Sequence, residues 1–480
     1  MPGTQTSGGS EHAENSGPSW APVAGLLVVC GALAASIRSV AAPISDTDVW
    51  WNLRIGEIMS HRVWWQPAPR LSTFATATWT PSEPLPDVVG AQVEHWWGLP
   101  GLAWLYGAGL AAVLVTTYLA FRRVGDVLPA ALASTLTLLA LTQSLTPRPE
   151  LVSLCLMPVV VVAWLRTAHD LVPRWWLVPL TYGWSMCHGF WSVGAGIGAT
   201  VAAVLLISGR ARGAEAVRLV VVAIASFAVV ALTPAGPGVV LEPLVVRARS
   251  SYIIEWYRTD LLTPAPLVVL VMLAGTVALV IAQRRYEPVR IVLLVIGAFF
   301  VWYSTRTVSI GGVLAGVLLV DALQAVLESR GAPLRPVRLP ELGGLMGWSL
   351  VCLTLLAVAV PRTSDSVAVV PTAFDGRLDT LPAGTVVFNN YEVGGWLSWR
   401  HPDLDHYVDP LADAYSVSHL DHYLRALDTE PGWQRTVQAS GARVAVLQQA
   451  APLSRALERE GWTTAAESRG YVLLTAPGPG

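Results

Sequence analysis

The stretch Asp46-Thr47-Asp48-Val49-Trp50-Trp51-Asn52-Leu53-Arg54-Ile55-Gly56-Glu57 begins shortly after an apolar run over residues 22 to 42. That run is long enough to cross a hydrocarbon core of about 30 Å, so the stretch falls where a first transmembrane helix would emerge into water. Two acids, an arginine and two tryptophans then meet at a predicted membrane interface. Tryptophan favours the headgroup level on its own account. Ionisable groups near a membrane are costly unless paired, hydrated or used. Asp48 is therefore placed to meet a lipid-borne substrate; the plainer reading is a surface helix whose acid caps its start.

The composition of the whole chain agrees. Of 480 residues, 53% are hydrophobic and 13% charged, and the mean hydropathy is +0.51, too apolar for an ordinary soluble fold. The expected fold class is a polytopic α-helical membrane protein. A net charge of −2 with no basic run excludes the concentrated cationic face that nucleic acid requires. Every cation is arginine, since the chain has no lysine. Cys30, Cys155, Cys187 and Cys352 all fall in predicted apolar helices, so no disulfide framework is expected. Residues 1–20, polar and without the basic start of a cleavable signal, read as a disordered cytoplasmic tail.

Apolar stretches run at 22 to 42, 99 to 120, 127 to 145, 151 to 167, 174 to 190, 191 to 208, 216 to 233, 265 to 282, 290 to 304, 308 to 326 and 341 to 360, which predicts about eleven transmembrane helices. Arginines concentrate in alternate connections, at 122 and 123, 166 and 174, 210 to 218, 284 to 290 and 330 to 338. By the positive-inside rule that side is the cytoplasm. Residues 43–98 and the segment 361–480 then lie outside, leaving 21–360 as the membrane domain. The expected location is a bacterial plasma membrane, with the N-terminus cytoplasmic.

The first outer loop, 43–98, is long for a connector. Trp51, Ile55, Ile58 and Met59 recur at helical spacing opposite Arg54, Glu57 and His61, the pattern of a helix lying in the interface plane. In 361–480, short β-like runs (385 to 388, 406 to 409, 443 to 447, 471 to 475) alternate with helical patterns (393 to 400, 417 to 427, 452 to 460). They predict a small extracytoplasmic α/β domain.

Sugar transfer from a lipid phosphate needs a base for the acceptor proton and cations for the departing phosphate. Asp48 and Asp46 are the leading candidates for the first role, with Glu94 as a further acid. Arg148, between two prolines, and Arg306 fall at predicted outward helix ends, where a guanidinium fork suits an anionic headgroup or simply reaches lipid phosphate. Glu150 positions a substrate or opens a helix as its first-turn acid. His188 reads as a ligand or a packed residue, and Glu255 with Trp256 as a sugar platform or an interface belt. No His or Cys pair has zinc spacing; Asp48 and Glu150 are the candidate ligands if a divalent cation is used. The histidines at 401, 406, 419 and 422 read as a solvated surface.

These residues resemble a known family. Asp48, Trp50, Trp51, Asn52 and Arg54 repeat the spacing of an Asp, two aromatics, an Asn and an Arg after the first helix of oligosaccharyltransferase catalytic subunits, although Val49 stands where that family usually has Pro. More broadly, Asp46 to Glu57, Glu94-His95-Trp96, Arg148-Pro149-Glu150, His188-Gly189, Ile254-Glu255-Trp256 and Phe388 to Leu397 resemble bacterial membrane glycosyltransferases of the GT-C type. The resemblance implies a GT-C-like fold, a polyprenyl-phosphate-linked sugar donor, a glycan, lipid or protein acceptor, and Asp48 as base or metal ligand. It also implies substrate contacts from Asn52 and Arg54. Asp409-Pro410-Leu411 stands where this group often reads Asp-Gly-Arg.

Two other classes compete. A lipid or glycan transporter or flippase would place its polar groups near the bilayer midplane, whereas these acids cluster at one surface. A non-catalytic scaffold with an envelope-binding outer domain would leave Asp48 far from any cavity.

Overall fold

In the computed structural model, which describes residues 21–40, 44–66, 69–76, 82–241, 254–362 and 369–478, the apolar stretches form a helical bundle. The predicted tail lies outside the described residues. Six described helices are long and apolar enough to cross a membrane: Pro84–Phe121, Glu150–Asp170, Gly213–Leu232, Pro264–Gln283, Thr305–Ser329 and Leu339–Ala359. Four shorter apolar helices, Val23–Arg38, Val127–Ala140, Trp191–Ile207 and Pro288–Tyr303, accompany them. The chain is a multi-pass membrane protein. The stretch 174 to 190 differs from expectation, because only Leu177–Ser185 is helical, roughly 14 Å at about 1.5 Å per residue.

Thr305–Ser329 is the central helix, with 78% of its apolar window buried. Gly312 and Gly316, four residues apart, let it approach Val127–Ala140. A Cβ at Gly316 would stand 2.1 Å from the Thr137 hydroxyl, and one at Gly312 would stand 2.9 Å from the Ala140 methyl. Small residues at this spacing allow close helix packing in lipid, where dispersion replaces the hydrophobic effect.

Pro84–Phe121 is two helices joined at Gly98, whose φ of 67° breaks the helical path in a region open to glycine. Trp96 and Trp97 are exposed at this kink, as side chains at headgroup level are. Before the kink, the helix packs on a second one, Asp48–Ser60. Gly56 permits this, since a Cβ there would lie 2.0 Å from the Asp87 carbonyl oxygen. The apolar face of Asp48–Ser60 does not lie in the interface plane as its pattern predicts. Ile55 and Met59, 0% and 2% exposed, share a core with Phe388, Tyr407 and Leu420, and Trp50 and Leu53 pack with Val387 and Trp396. The C-terminal layer supplies the apolar partner that the sequence pattern assigned to lipid, worth about 1.5–3 kcal/mol per buried large side chain.

That layer is a five-stranded sheet of order β2-β1-β3-β5-β4, with β1 at Val386–Asn389, β2 at Asp405–His406, β3 at Val444–Gln448, β4 at Thr463–Ser468 and β5 at Tyr471–Thr475. β1 is parallel to β2 and β3, and β5 is antiparallel to β3 and β4. β4 and the helix Trp433–Ser440 have no counterpart in the sequence reading. β4 is an edge strand of mainly small polar residues, so it lacks the apolar alternation that marks a strand. The helix Tyr391–Arg400 joins the layer to the first loop: a Cβ at its Gly395 would stand 3.1 Å from the Trp51 backbone nitrogen.

The solvated reading holds for His422, which is exposed, and is corrected for His401, His406 and His419. His401 and His406 are 4% and 1% exposed. Asp375 and Asp379 each lie 3.0 Å from His401, and His406 Nε2 is 2.7 Å from Asp409 Oδ2. His419 stacks among Phe74, Tyr407 and Tyr415. Carboxylates hold both ring nitrogens of His401 and the Nε2 of His406, and the Tyr407 carbonyl oxygen lies 3.0 Å from His419 Nε2.

Candidate active site

Asp46 and Asp48 stand where the chain enters the helix Asp48–Ser60, and the Asp48 N–H donates to Asp46 Oδ1 at 3.0 Å. Opposite them is Arg148, held in the turn before Glu150–Asp170 by its flanking prolines, which restrict φ. Its Nε donates to Asp46 Oδ2 at 2.6 Å, and its Nη1 lies 3.0 Å from Asp48 Oδ2. The same Nη1 donates to Glu255 Oε1 at 2.5 Å. The second Glu255 oxygen accepts from Arg306 Nη1. Partners 51 to 107 positions apart thus form one chain of alternating charge: Asp46 and Asp48, Arg148, Glu255, Arg306.

Arg306 occupies the short turn Thr305–Thr307, closed by reciprocal Ser304 and Thr307 side-chain bonds. The Thr305 N–H donates to the Tyr257 carbonyl at 3.1 Å, which ties the Glu255 segment to the Arg306 turn. The guanidinium carbon lies 5.9 Å from the Phe190 ring centre and 5.8 Å from that of Trp256, within reach of cation–π attraction.

His188 borders Arg306, with Nε2 3.4 Å from Arg306 Nη2. Its Nδ1 lies 2.9 Å from Ser153 Oγ and accepts from the Phe190 N–H at 3.3 Å. The Trp184 indole, a donor only, donates to the same Ser153 Oγ at 2.7 Å. The serine's own hydrogen is therefore directed to Nδ1. Burial and the two guanidinium charges hold His188 well below its usual pKa, so it is neutral. With Nδ1 accepting, the ring proton sits on Nε2, facing Arg306.

Asp48 is 24% exposed at its side chain. Burial raises its carboxyl, Arg148 opposes the rise, and the Asp46 and Glu255 charges add to it, leaving a pKa of about 6. Glu255 goes the other way. Burial would raise it, but Arg306 and Arg148 together hold it below the ordinary range.

These groups line a cavity of about 900 Å³ between the bundle and the sheet layer. Thr47, Asp48, Trp51 and Asn52 come from the first loop; Glu83, Arg148, Glu150, His188, Glu255, Trp256 and Arg306 come from the bundle end. Asn390, Tyr391, Glu392 and Leu420 belong to the sheet layer. Four buried polar atoms on this wall have no hydrogen-bond partner among the described residues: Trp51 Nε1, Asn52 Oδ1, Glu150 Oε1 and Glu392 Oε2. Native interiors rarely leave such groups unmatched, and these four atoms sit behind the cavity surface, closed to solvent.

Three sequence candidates are not among the cavity-lining residues: Asp46 is buried and held by Arg148, and Arg54 and Glu94 lie away from it. Arg54 is two positions from Asn52, about 200° around the helix, and pairs with Glu57 at 2.8 Å on another face. Glu94 lies eleven residues beyond Glu83 on the next helix, roughly 16 Å along its axis, and is not part of the lining. Conversely, sequence reasoning missed Glu83, Ser153 and Trp51 as site residues, along with Tyr391 and Glu392. Glu83 had a signal in its position just before Pro84, and Ser153 in lying one turn from Glu150. Tyr391 and Glu392 had a signal in the Phe388 to Leu397 stretch that carries the family resemblance, without a role of their own.

Among the described residues, no three His, Cys, Asp or Glu side chains form a group that could hold a metal ion. Asp46, Asp48 and Glu255 do converge, but on the Arg148 guanidinium. Arg148 holds the positive position among these three carboxylates, and Asp48 and Glu150, the candidate cation ligands, both line the cavity.

No family model matches the chain, and no curated protein matches it. Solved structures do. The archaeal oligosaccharyltransferase AglB from Archaeoglobus fulgidus, in complex with an inhibitory peptide and a dolichol-phosphate, aligns with a TM-score of 0.60 at 13% identity, covering 89% of this chain and 69% of that one. The Archaeoglobus fulgidus oligosaccharyltransferase in complex with Zn and sulfate gives 0.56 at 14% identity, over 89% and 68%. ArnT from Cupriavidus metallidurans, bound to undecaprenyl phosphate, aligns less well, at 0.45 and 15% identity over 95% and 99%. At these identities the likeness is one of fold, and this chain has the fold of the GT-C glycosyltransferases.

Proposed function

We propose that this protein is a membrane glycosyltransferase that moves a sugar from a polyprenyl-phosphate-linked donor to a cell-envelope acceptor on the extracytoplasmic face. In this reading about eleven helices cross a bacterial plasma membrane, the N-terminus is cytoplasmic, and residues 361–480 form an outer domain roofing the cavity. The observation that carries the reading is the convergence of Asp48, Arg148, Glu255, Arg306 and His188 on one cavity wall. The acceptor hydroxyl attacks the anomeric carbon and its C–O bond forms as the bond from that carbon to the phosphate oxygen breaks. The proton passes to Asp48. The electron pair leaves on the lipid phosphate, whose charge meets Arg148 and Arg306. A base with a pKa of about 6 is close to the operating range that favours general-base catalysis.

A lipid-linked donor suits the dolichol-phosphate of the AglB complex, and a cavity of about 900 Å³ lined by Trp51, Asn52, Trp256 and Asn390 suits a sugar. A scaffold role loses its motive because Asp48 lines the cavity. The test is incubation of purified protein with a panel of polyprenyl-phosphate sugars, reading released lipid phosphate by mass spectrometry. Asp48→Asn should keep the fold and lose about 10²- to 10⁴-fold in rate, the usual contribution of a positioned base. Wild-type turnover in that variant would remove Asp48 from the mechanism.

A further inference from the structure

Glu255 bridges the two guanidiniums as an anionic ligand would, giving one oxygen to Arg148 and the other to Arg306. Its side chain is 38% exposed, so water is within reach if it swings away. Arg148 would then keep Asp46 at 2.6 Å, and Arg306 would keep its two aromatic faces. Beside the bridge, His188 Nε2–H and Arg306 Nη2–H lie 3.4 Å apart. Both are donors, so they cannot bond each other. Such a pair is matched by one acceptor oxygen placed between them.

We infer that Glu255 is an internal stand-in for the donor's phosphate, occupying the anion site formed by Arg148, Arg306 and His188 until the substrate displaces it. The inference rests on the glycosyltransferase reading and specifies how its phosphate site works. A carboxylate offers two oxygens and fills two of the three donor positions. A phosphodiester also has two unsubstituted oxygens, which take the Glu255 places on Arg148 and Arg306. As the sugar departs, a third oxygen gains negative charge, and His188 Nε2–H with Arg306 Nη2–H is the remaining donor pair. Binding would thus be strongest to the departing phosphate, where stabilisation raises rate rather than only affinity. In the resting state, Glu255 adds a shared carboxylate between two guanidiniums that are otherwise held by Asp46 and Asp48 on one side and by the Glu150 charge on the other.

An internal competitor lowers the apparent affinity for its rival by the fraction of molecules left open. If Glu255 is closed in about nine molecules of ten, its removal tightens phosphate binding about tenfold. The test uses full-length protein in detergent, with undecaprenyl phosphate, undecaprenol and inorganic phosphate as probes and native mass spectrometry or calorimetry as readout. Glu255→Gln and Glu255→Ala should each bind undecaprenyl phosphate at least about tenfold more tightly than wild type, with undecaprenol unchanged. Glu255→Asp, which keeps the charge, should stay closer to wild type, and Arg306→Gln should bind more weakly. A merely structural role for Glu255 would predict weaker binding in all its variants.

Unchanged or weaker binding of both undecaprenyl phosphate and inorganic phosphate in folded Glu255→Gln overturns the inference. Tighter binding of inorganic phosphate but not of the lipid supports the anion site and counts against a lipid donor. Tighter lipid binding without sugar transfer from any donor upholds the inference while the glycosyltransferase reading fails.

Discussion

Asp48 is the residue whose protonation the proposed chemistry turns on. Only its carboxylate form accepts the acceptor proton, and its pKa is pushed up to about 6. Activity should therefore fall away below about pH 6, rise through that value and level off above it. A profile of kcat/KM against pH reads this directly. Arg148 is the nearest opposing charge and holds the Asp48 pKa down, so Arg148→Gln should move the same limb to higher pH as well as weaken phosphate binding. An unmoved midpoint in that variant would assign the limb to another group. His188 contributes no acid limb of its own in this range, because burial and two guanidiniums keep it neutral.

At the scale of elements, the site depends on how closely two helices meet. Asp48–Ser60 touches the helix beginning at Pro84 through Gly56, where a Cβ would stand 2.0 Å from the Asp87 carbonyl oxygen. That atom is backbone and cannot turn aside, so the helices must separate. Gly56→Ala should cost about 1–3 kcal/mol, as overpacking does, and lower both the melting temperature and the activity by tilting Asp48 away from Arg148. Gly275, in the interior of Pro264–Gln283, is the control, with no heavy atom within 4 Å of a Cβ there. Gly275→Ala should leave stability unchanged or raise it by a few tenths to about 1 kcal/mol through helix propensity. Equal losses from the two substitutions would show that Gly56 has no special role in packing.

At the scale of the molecule, a second charged network closes the bundle away from the cavity. Arg122, 3% exposed, ends the helix that begins at the site, and it donates to Glu341 at 2.6 Å. The Tyr118 hydroxyl donates to the same carboxylate at 2.7 Å. Removing one partner of a buried pair strands the other charge, typically at about 3–5 kcal/mol. Glu341→Ala should therefore lower the melting temperature clearly. The pH midpoint of activity should not move, since Arg122 touches nothing in the cavity. A shifted midpoint would mean that the two ends of the bundle are coupled.

The sequence by itself determined the class of molecule and the alphabet of its site. Apolar runs of helical length declare a membrane bundle because an unsatisfied backbone cannot cross lipid, and local periodicity marks strands and helices after residue 369. Asp48, Arg148, His188, Glu255 and Arg306 stand out because charge at a membrane boundary needs a reason. Only the tertiary structure decided which of them meet. Arg54 and Glu94 were candidates beside Asp48, yet helix rotation and axial distance carry them away from the cavity. The apolar face of Asp48–Ser60 turned from lipid to the sheet layer because a periodic pattern tells that a face is buried, not what buries it. Tyr391 and Glu392 reached the site across more than three hundred residues of chain. Spacing along a sequence carries angle within one helix, but contact between helices is set by packing, and packing is a property of the folded whole.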